Sequence, residues 1–164
     1  MDHPMLIFFT FLFCVTLGFV SELFVMFPLE KWYTTIRKPL FHPKNSIGVI
    51  ARSWTISYGF MGAAIYFILV SPKPHIPQIV LFVVQIALCF IWPILYFHKR
   101  NIGAALKGLY VLLPITIITA ASFFLISIPA GALIIPCIPW EIYMIILNKK
   151  VLELNSEGQR STVI

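Results

Sequence analysis

The sequence predicts an all-α integral membrane protein, a bundle of five transmembrane helices. Of its 164 residues, 60% are hydrophobic and only 11% are charged, whereas soluble domains carry roughly 45–50% apolar and about 25% charged residues. The apolar residues fall into runs of about 20, the length that a helix needs to cross hydrocarbon. Spanning strands would be about half as long and would alternate polar with apolar residues.

The five apolar runs are separated by short polar or proline-containing segments. The predicted spans are 5–27, 47–70, 78–97, 102–125 and 130–148. Only Glu22 interrupts the first span, near its end, and Arg52 lies near the start of the second. Prolines break the chain at 71–77 and at Pro129, because proline ends helices, and the polar turn 98–101 separates the third span from the fourth. We therefore assign 1–150 to one transmembrane domain and 151–164 to a polar cytosolic tail.

The cations are distributed unevenly between the two predicted sides of the membrane. Lys73 alone lies on one side. The other eleven lie in the first and third loops, in the tail and at adjoining helix ends: Lys31, Arg37, Lys38, Lys44, Arg52, Lys99, Arg100, Lys107, Lys149, Lys150 and Arg160. The positive-inside rule then places the C-terminus in the cytosol. Because the cations flank apolar runs, the net charge of +6 indicates a membrane protein and no nucleic-acid partner.

Three predicted helices carry polar or aromatic side chains at i, i+4 and i+7, which places each set on one helix face. The sets are Trp54, Tyr58 and Met61; Gln85, Cys89 and Trp92; and Trp140, Met144 and Leu147. They are consistent with helix packing or with tryptophans at the headgroup level. They are also consistent with a pocket for a flat aromatic or sterol-like ligand, since rigid aromatic faces bury much area.

The first loop, 28–46, is rich in aromatic residues and cations, among them Trp32, Tyr33, Lys38, Pro39, Phe41, His42 and Pro43. Such residues act as interfacial anchors at a membrane edge. The alternative is a folded lid over the bundle, which the length and the prolines of the loop favour.

Glu141 is the most unusual residue, because an acid inside a membrane helix should face the bundle, find a partner or be protonated. Arg52 and His42 are conceivable partners, whereas we expect Glu22 to extend to the interface. Cys14, Cys89 and Cys137 fit no metal or disulfide pattern, so we expect buried thiols. Enzyme motifs are absent, so we predict no required cofactor and leave catalysis open.

These residues carry a family resemblance. Its motifs are Gly18-Phe19-Val20, Trp32-Tyr33, Lys38-Pro39, Phe41-His42-Pro43, Trp54, Tyr58, Met61-Gly62, Gln85, Ala87-Leu88, Trp92-Pro93, Gly103, Ala105-Leu106, Pro136, Trp140 and Leu147-Asn148. In this order, over about residues 15 to 150, the sequence resembles the translocator protein family, also called the tryptophan-rich sensory proteins or peripheral benzodiazepine receptor.

The resemblance implies a pocket inside the bundle that opens under the first loop, and a binding or transport protein for tetrapyrroles (protoporphyrin, haem) or similar flat lipophilic ligands such as sterols. The porphyrin or haem is a ligand and not a required cofactor. The ligand-binding residues predicted in this way are Trp32, Pro39, Phe41, Trp54, Tyr58, Cys89, Trp92, Trp140, Met144 and Leu147. The resemblance also implies homodimers and, in a eukaryote, the outer mitochondrial membrane.

Two alternatives stay open. Some bacterial members promote light- and oxygen-dependent porphyrin breakdown, for which Trp54 and Trp140 would be the catalytic residues. Glu141 could instead be the centre of a proton- or ion-coupled membrane protein.

The sequence also departs from the family pattern. Cys89, Cys137, Ala104, Glu141 and Met144 replace the family's asparagine, tyrosine, tryptophan, leucine and small residue. Lys149 and Glu153 stand where the proposed sterol motif needs tyrosine and arginine, so that motif is missing here.

Overall fold

The computed structural model describes residues 4–26, 29–42, 46–73 and 75–160. Over these residues the chain is helical and contains no strand, which confirms the all-α class. The elements are α1 (Pro4–Met26), α2 (Leu29–Thr35), α3 (Ser46–Leu69), α4 (Ile76–Pro93), a π-helical turn (Ile94–His98), α5 (Ile102–Ile126), α6 (Ile128–Ile134) and α7 (Cys137–Arg160).

Four helical stretches are long and apolar enough to cross a membrane: Pro4–Leu23, Ile76–His98, Ile102–Ile126 and Ile128–Ser156. With 24 residues α3 is as long as the others, but Arg52 and a series of serine, threonine and aromatic residues lower its hydropathy. Four of the five predicted spans are therefore confirmed as candidates, and the predicted span 47–70, which corresponds to α3, stays a prediction.

The long helices form a closed ring. Helix α1 packs along α3, α3 packs on α6, α5 packs on α6 and α7 on one side and on α4 on the other, and α4 returns to α1. The order around the ring is thus α1, α3, α6–α7, α5 and α4. Two consequences follow: α3, α4 and α7 face a common centre, and residues distant in sequence meet there.

Gly62 allows α3 to approach the backbone of α1 closely. A Cβ atom at Gly62 would lie 2.9 Å from the Cα of Phe11 and 2.9 Å from the carbonyl oxygen of Thr10, so no other residue fits without moving backbone. Farther along the same pair, Thr55 of α3 donates a hydrogen bond to the carboxylate of Glu22 of α1. Glu22 therefore contacts a neighbouring helix, where we expected it to extend to the interface.

Pro93 ends the regular part of α4 and begins a wider turn. Proline supplies no backbone N–H, and the π-helical turn follows, closed by a 2.8 Å bond from the amide of Lys99 to the carbonyl oxygen of Ile94. Tyr96 and Phe97 are adjacent in sequence, yet both are buried in this turn. A π-helical turn inside an α-helix is a frequent feature of functional sites.

The fifth predicted span is interrupted in the structure. Helix α6 ends at Ile134 and α7 begins at Cys137. The helix then continues past position 148 to Arg160, with Val151 fully buried. Part of the predicted tail is thus helical, and residues 161–164 lie outside the described residues, as does Pro43 of the predicted lid.

Several described cations lie at one end of the bundle, among them Arg37, Lys99 and Arg100. The loop at Arg37, the turn at Arg100 and the last turns of α7 lie together there. Lys73 lies at the other end, where its ammonium group donates a 3.2 Å bond to the carbonyl oxygen of Leu125. Cys14, Cys89 and Cys137 are free and buried, as predicted.

Candidate ligand-binding site at the centre of the bundle

Three tryptophans from three helices meet at the centre of the ring. Trp54 of α3 stacks on Trp92 of α4 with ring centroids 5.5 Å apart. Trp140 of α7 meets Trp54 edge to face at 6.4 Å. The tryptophans of the three predicted helix faces therefore meet, with Trp92 and Trp54 buried and Trp140 partly buried.

Most of the other predicted site residues lie in the same core. Tyr58, Cys89, Met144 and Leu147 are each at most 2% exposed and belong to the core cluster that contains Trp54 and Trp92. In this conformation they pack against one another. The packing interpretation thus describes this state of the molecule, and a ligand at the centre would have to separate the Trp54–Trp92 stack.

The centre is less apolar than a pure packing core. Among the residues that the structure describes, none forms a hydrogen bond with a set of buried polar atoms on the inner faces of α3, α4 and α7. These atoms are the indole nitrogens Nε1 of Trp54, Trp92 and Trp140, Gln85 Oε1, Asn148 Oδ1 and Glu141 Oε2. A buried polar atom without a partner costs about 1–3 kcal/mol, so such atoms usually indicate a water or ligand site.

Glu141 is buried, with 1% exposure, and has a different partner from those that we considered. Its Oε1 accepts a 2.7 Å hydrogen bond from the hydroxyl of Thr116 on α5. Arg52 is exposed on α3, and His42 instead lies 2.7 Å from the hydroxyl of Tyr33 through its Nε2. Neither is the partner of Glu141.

The first loop folds onto the bundle as a lid. Tyr33 of α2 is 3% exposed, and its ring centroid lies 5.6 Å from that of Phe97 in the π-helical turn. The ammonium group of Lys38 lies 4.3 Å from the centroid of the Tyr33 ring and donates to the Tyr33 carbonyl oxygen. Partial burial in this contact lowers the pKa of Lys38. These contacts support the lid interpretation of the loop.

A side chain of α7 holds the end of the lid. The amide of Arg37 donates to Asn155 Oδ1 at 3.0 Å, and Asn155 Nδ2 donates to the Arg37 carbonyl oxygen at 3.0 Å. Both bonds bring the loop to the last turns of α7. The adjacent Pro39 is buried. We call this contact the latch.

Two predicted site residues of the lid have different positions. The Trp32 ring lies 6.1 Å from that of Tyr96, and Tyr96 stacks on Trp92 at 5.3 Å, so Trp32 connects to the central tryptophans through one ring. Phe41 is 50% exposed and lines an outer groove with Tyr110 of α5. The structure therefore does not bring Phe41 to the tryptophans.

Sequence analysis missed several residues of the site. Tyr96 follows Trp92 by four positions and extends its helix face, so the same periodicity could have found it. Asn148 follows Met144 by four in the same way. Thr116 and Asn155 have no such signal, because an isolated threonine in a span and an asparagine in a polar tail are common.

Apolar grooves also occur on the outside of the bundle. One of about 430 Å³ lies between α1 and α4, beside Phe13 and Phe90. Another, of about 470 Å³, lies between α1, α3 and α6, beside Phe11 and Phe60. Because both are lined almost wholly by apolar side chains on the outer face, acyl chains of the bilayer suit them.

The chain is similar in sequence to known proteins. The model of the TspO/MBR family matches residues 10–153. The sequence is 29% identical to a translocator protein of Ovis aries over 148 residues, 88% of this chain and 86% of the relative. It is 29% identical to the tryptophan-rich protein TspO of Chlorobaculum tepidum over 145 residues, 87% and 90% of the two chains. A translocator protein of Sus scrofa is 30% identical over 148 residues, 87% and 85%.

Proposed function

Because the chain belongs to the TspO/MBR family, we propose that it is a membrane protein that binds or transports tetrapyrroles such as protoporphyrin and haem, or similar flat lipophilic ligands. The observation that carries the proposal is the meeting of Trp54, Trp92 and Trp140 at a buried centre. Three large aromatic faces there supply the contact area that a flat ring system needs.

The unpaired polar atoms favour a tetrapyrrole over a plain hydrocarbon ring. The indole N–H groups of Trp54, Trp92 and Trp140 can donate hydrogen bonds, and the propionate groups of protoporphyrin and haem accept them. A sterol offers a single hydroxyl, and the helix-end motif proposed for sterols is missing, since Lys149 and Glu153 stand where it needs tyrosine and arginine. Sterol is therefore the weaker candidate ligand.

The lid provides the route by which such a ligand reaches the centre. The ring of Trp32 joins the central tryptophans through Tyr96, so release of the lid exposes the rings nearest to it first. We therefore place the mouth of the pocket under the 29–42 segment.

Fluorescence titration of the purified protein in neutral detergent tests the proposal. Protoporphyrin should quench the tryptophan emission of the wild type with saturation, and the Trp54→Phe/Trp140→Phe variant should bind it more weakly. Phe41→Leu, in the outer groove, is the matched control and should bind like the wild type. Equal affinity of all three proteins would refute the assigned site.

The alternative function is a catalyst that breaks down porphyrin with light and oxygen. Trp54 and Trp140 are in edge contact at 6.4 Å, so a porphyrin bound at one ring would lie near both oxidisable indoles. The test is to illuminate bound protoporphyrin in air and to measure the decrease of its absorbance with time. Bleaching no faster than that of free pigment, or equally fast in the double variant, would exclude it.

The proposal includes a membrane topology. We propose that α3 crosses the membrane together with the four candidate spans, and that the C-terminus faces the cytosol. We also propose that the protein forms homodimers, in the outer mitochondrial membrane if the cell is eukaryotic. The several described cations at one end of the bundle support the orientation. A protease-cleavable tag after Ile164 should be cut in intact organelles or inverted vesicles, and protection of the tag would contradict this topology.

A further inference from the structure

One face of α7 combines apolar packing with unpaired acceptors. Cys137, Glu141, Met144 and Asn148 follow each other at helical spacing, and each is at most 2% exposed. An acid in this row is unexpected, because an ionised carboxylate inside a membrane is costly unless it has a partner. Glu141 directly follows Trp140, the residue of α7 that meets Trp54.

Only half of the Glu141 carboxyl group is used by the fold. Its Oε1 accepts the 2.7 Å hydrogen bond from Thr116, which fixes the group between α7 and α5. Its Oε2 receives no hydrogen bond from any described residue. No lysine, arginine or histidine in the described part of the chain lies within ion-pairing distance of it.

Two other buried side chains repeat this pattern, each about two helical turns from the tryptophan of its own helix. The Nδ2 of Asn148 donates to the Met144 carbonyl oxygen at 2.8 Å, which leaves Asn148 Oδ1 without a donor among the described residues. Gln85 of α4 likewise has an unpaired Oε1 in the described structure, while its Nε2 lies 3.4 Å from the sulfur of Met61. Each of these buried oxygens lacks a donor among the described residues, and a donor on a ligand would match the free oxygen of Glu141.

We propose that Glu141 is the specificity-determining residue of this pocket and that it selects flat lipophilic ligands carrying an ammonium or other charged N–H group, which donates to Oε2. The inference rests on the proposed pocket and adds a second class of ligand to the tetrapyrroles proposed above. Hydrogen bonds between ionised partners are the strongest kind, above all away from water.

Two dyes of nearly the same shape test the inference. The 9-aminoacridine ring system carries a positive charge at neutral pH and donates N–H groups, whereas acridine is neutral and accepts. Titration of each into the purified protein in neutral detergent, with tryptophan quenching as readout, should give the wild type about a tenfold or greater preference for 9-aminoacridine.

Glu141→Leu should remove this preference while acridine still binds as to the wild type. Glu141→Gln keeps the size of the side chain and its acceptor oxygen but loses the charge, so it should lose most of the preference too. Should Glu141→Leu not fold, Glu141→Gln alone decides. The inference would be overturned if the wild type had no preference for 9-aminoacridine, or if both variants kept the preference of the wild type.

Protoporphyrin titrations of the same samples separate this inference from the proposed function. If protoporphyrin binding still depends on Trp54 and Trp140 but the dye preference does not depend on Glu141, only the role of Glu141 is refuted. If protoporphyrin binding is insensitive to both tryptophans, the proposed pocket is refuted, whatever the dyes show.

Discussion

The latch between the lid and α7 gives a quantitative prediction. Asn155→Ala removes both hydrogen bonds to the backbone of Arg37, each 3.0 Å long. Each hydrogen bond contributes about 0.5–1.5 kcal/mol, so the docked lid loses roughly 1–3 kcal/mol of stability relative to the undocked lid. The undocked population should then rise about 5- to 150-fold. Helix α7 itself should not suffer, because alanine has the highest helix propensity.

Amide hydrogen exchange of the purified protein measures this opening directly. In Asn155→Ala, exchange at Arg37 and at His42, whose amide donates to Pro39 at 3.0 Å, should accelerate by the same factor. Lys150→Ala is the control, since it breaks only an exposed 3.0 Å ion pair with Glu153 on the same helix, worth about 0–1 kcal/mol. Unchanged exchange in Asn155→Ala, or equal acceleration in Lys150→Ala, would refute the latch.

Two further predictions concern packing and polar contacts within the bundle. Gly62→Ala should lower the free energy of unfolding in detergent by about 1–3 kcal/mol, because its Cβ would meet backbone at 2.9 Å. Gly59→Ala should be neutral or stabilising, since its Cβ meets the ring edge of Phe11 at 3.2 Å. Equal melting temperatures of the two variants would contradict the close α1–α3 approach. Thr116→Val should destabilise the protein by about 1–3 kcal/mol, because it leaves the buried Glu141 without its donor. The double variant Thr116→Val/Glu141→Leu should recover most of that loss. A loss that persists in the double variant would show that the hydrogen bond is not its cause.

Hydropathy and periodicity predict much of this fold because lipid leaves few alternatives to helices. The faces at Trp54, Trp92 and Trp140 could be identified from spacing alone, and the ring of helices then brings them together. Whether α3 spans the membrane is harder to predict from hydropathy, since Arg52 and its polar neighbours reduce the hydropathy of a helix that is otherwise long enough.

The contacts that complete the site depend on tertiary neighbours and could not be read from local pattern. Thr116 meets Glu141 only because α5 lies beside α7, and Asn155 reaches Arg37 only because α7 continues beyond its apolar part. The π-helical turn after Pro93 has a local cause, but its effect, the burial of two adjacent aromatic residues, requires the geometry of the turn.

The most direct test of the central claim is fluorine NMR of protein containing 5-fluorotryptophan, titrated with protoporphyrin. The chain has four tryptophans, and single Trp→Phe variants assign their signals. The signals of Trp54, Trp92 and Trp140 should shift or broaden together and saturate at the same ligand concentration, with a smaller change at Trp32. A response confined to Trp32, or no saturable response at the three central tryptophans, would contradict a ligand site at the centre of the bundle.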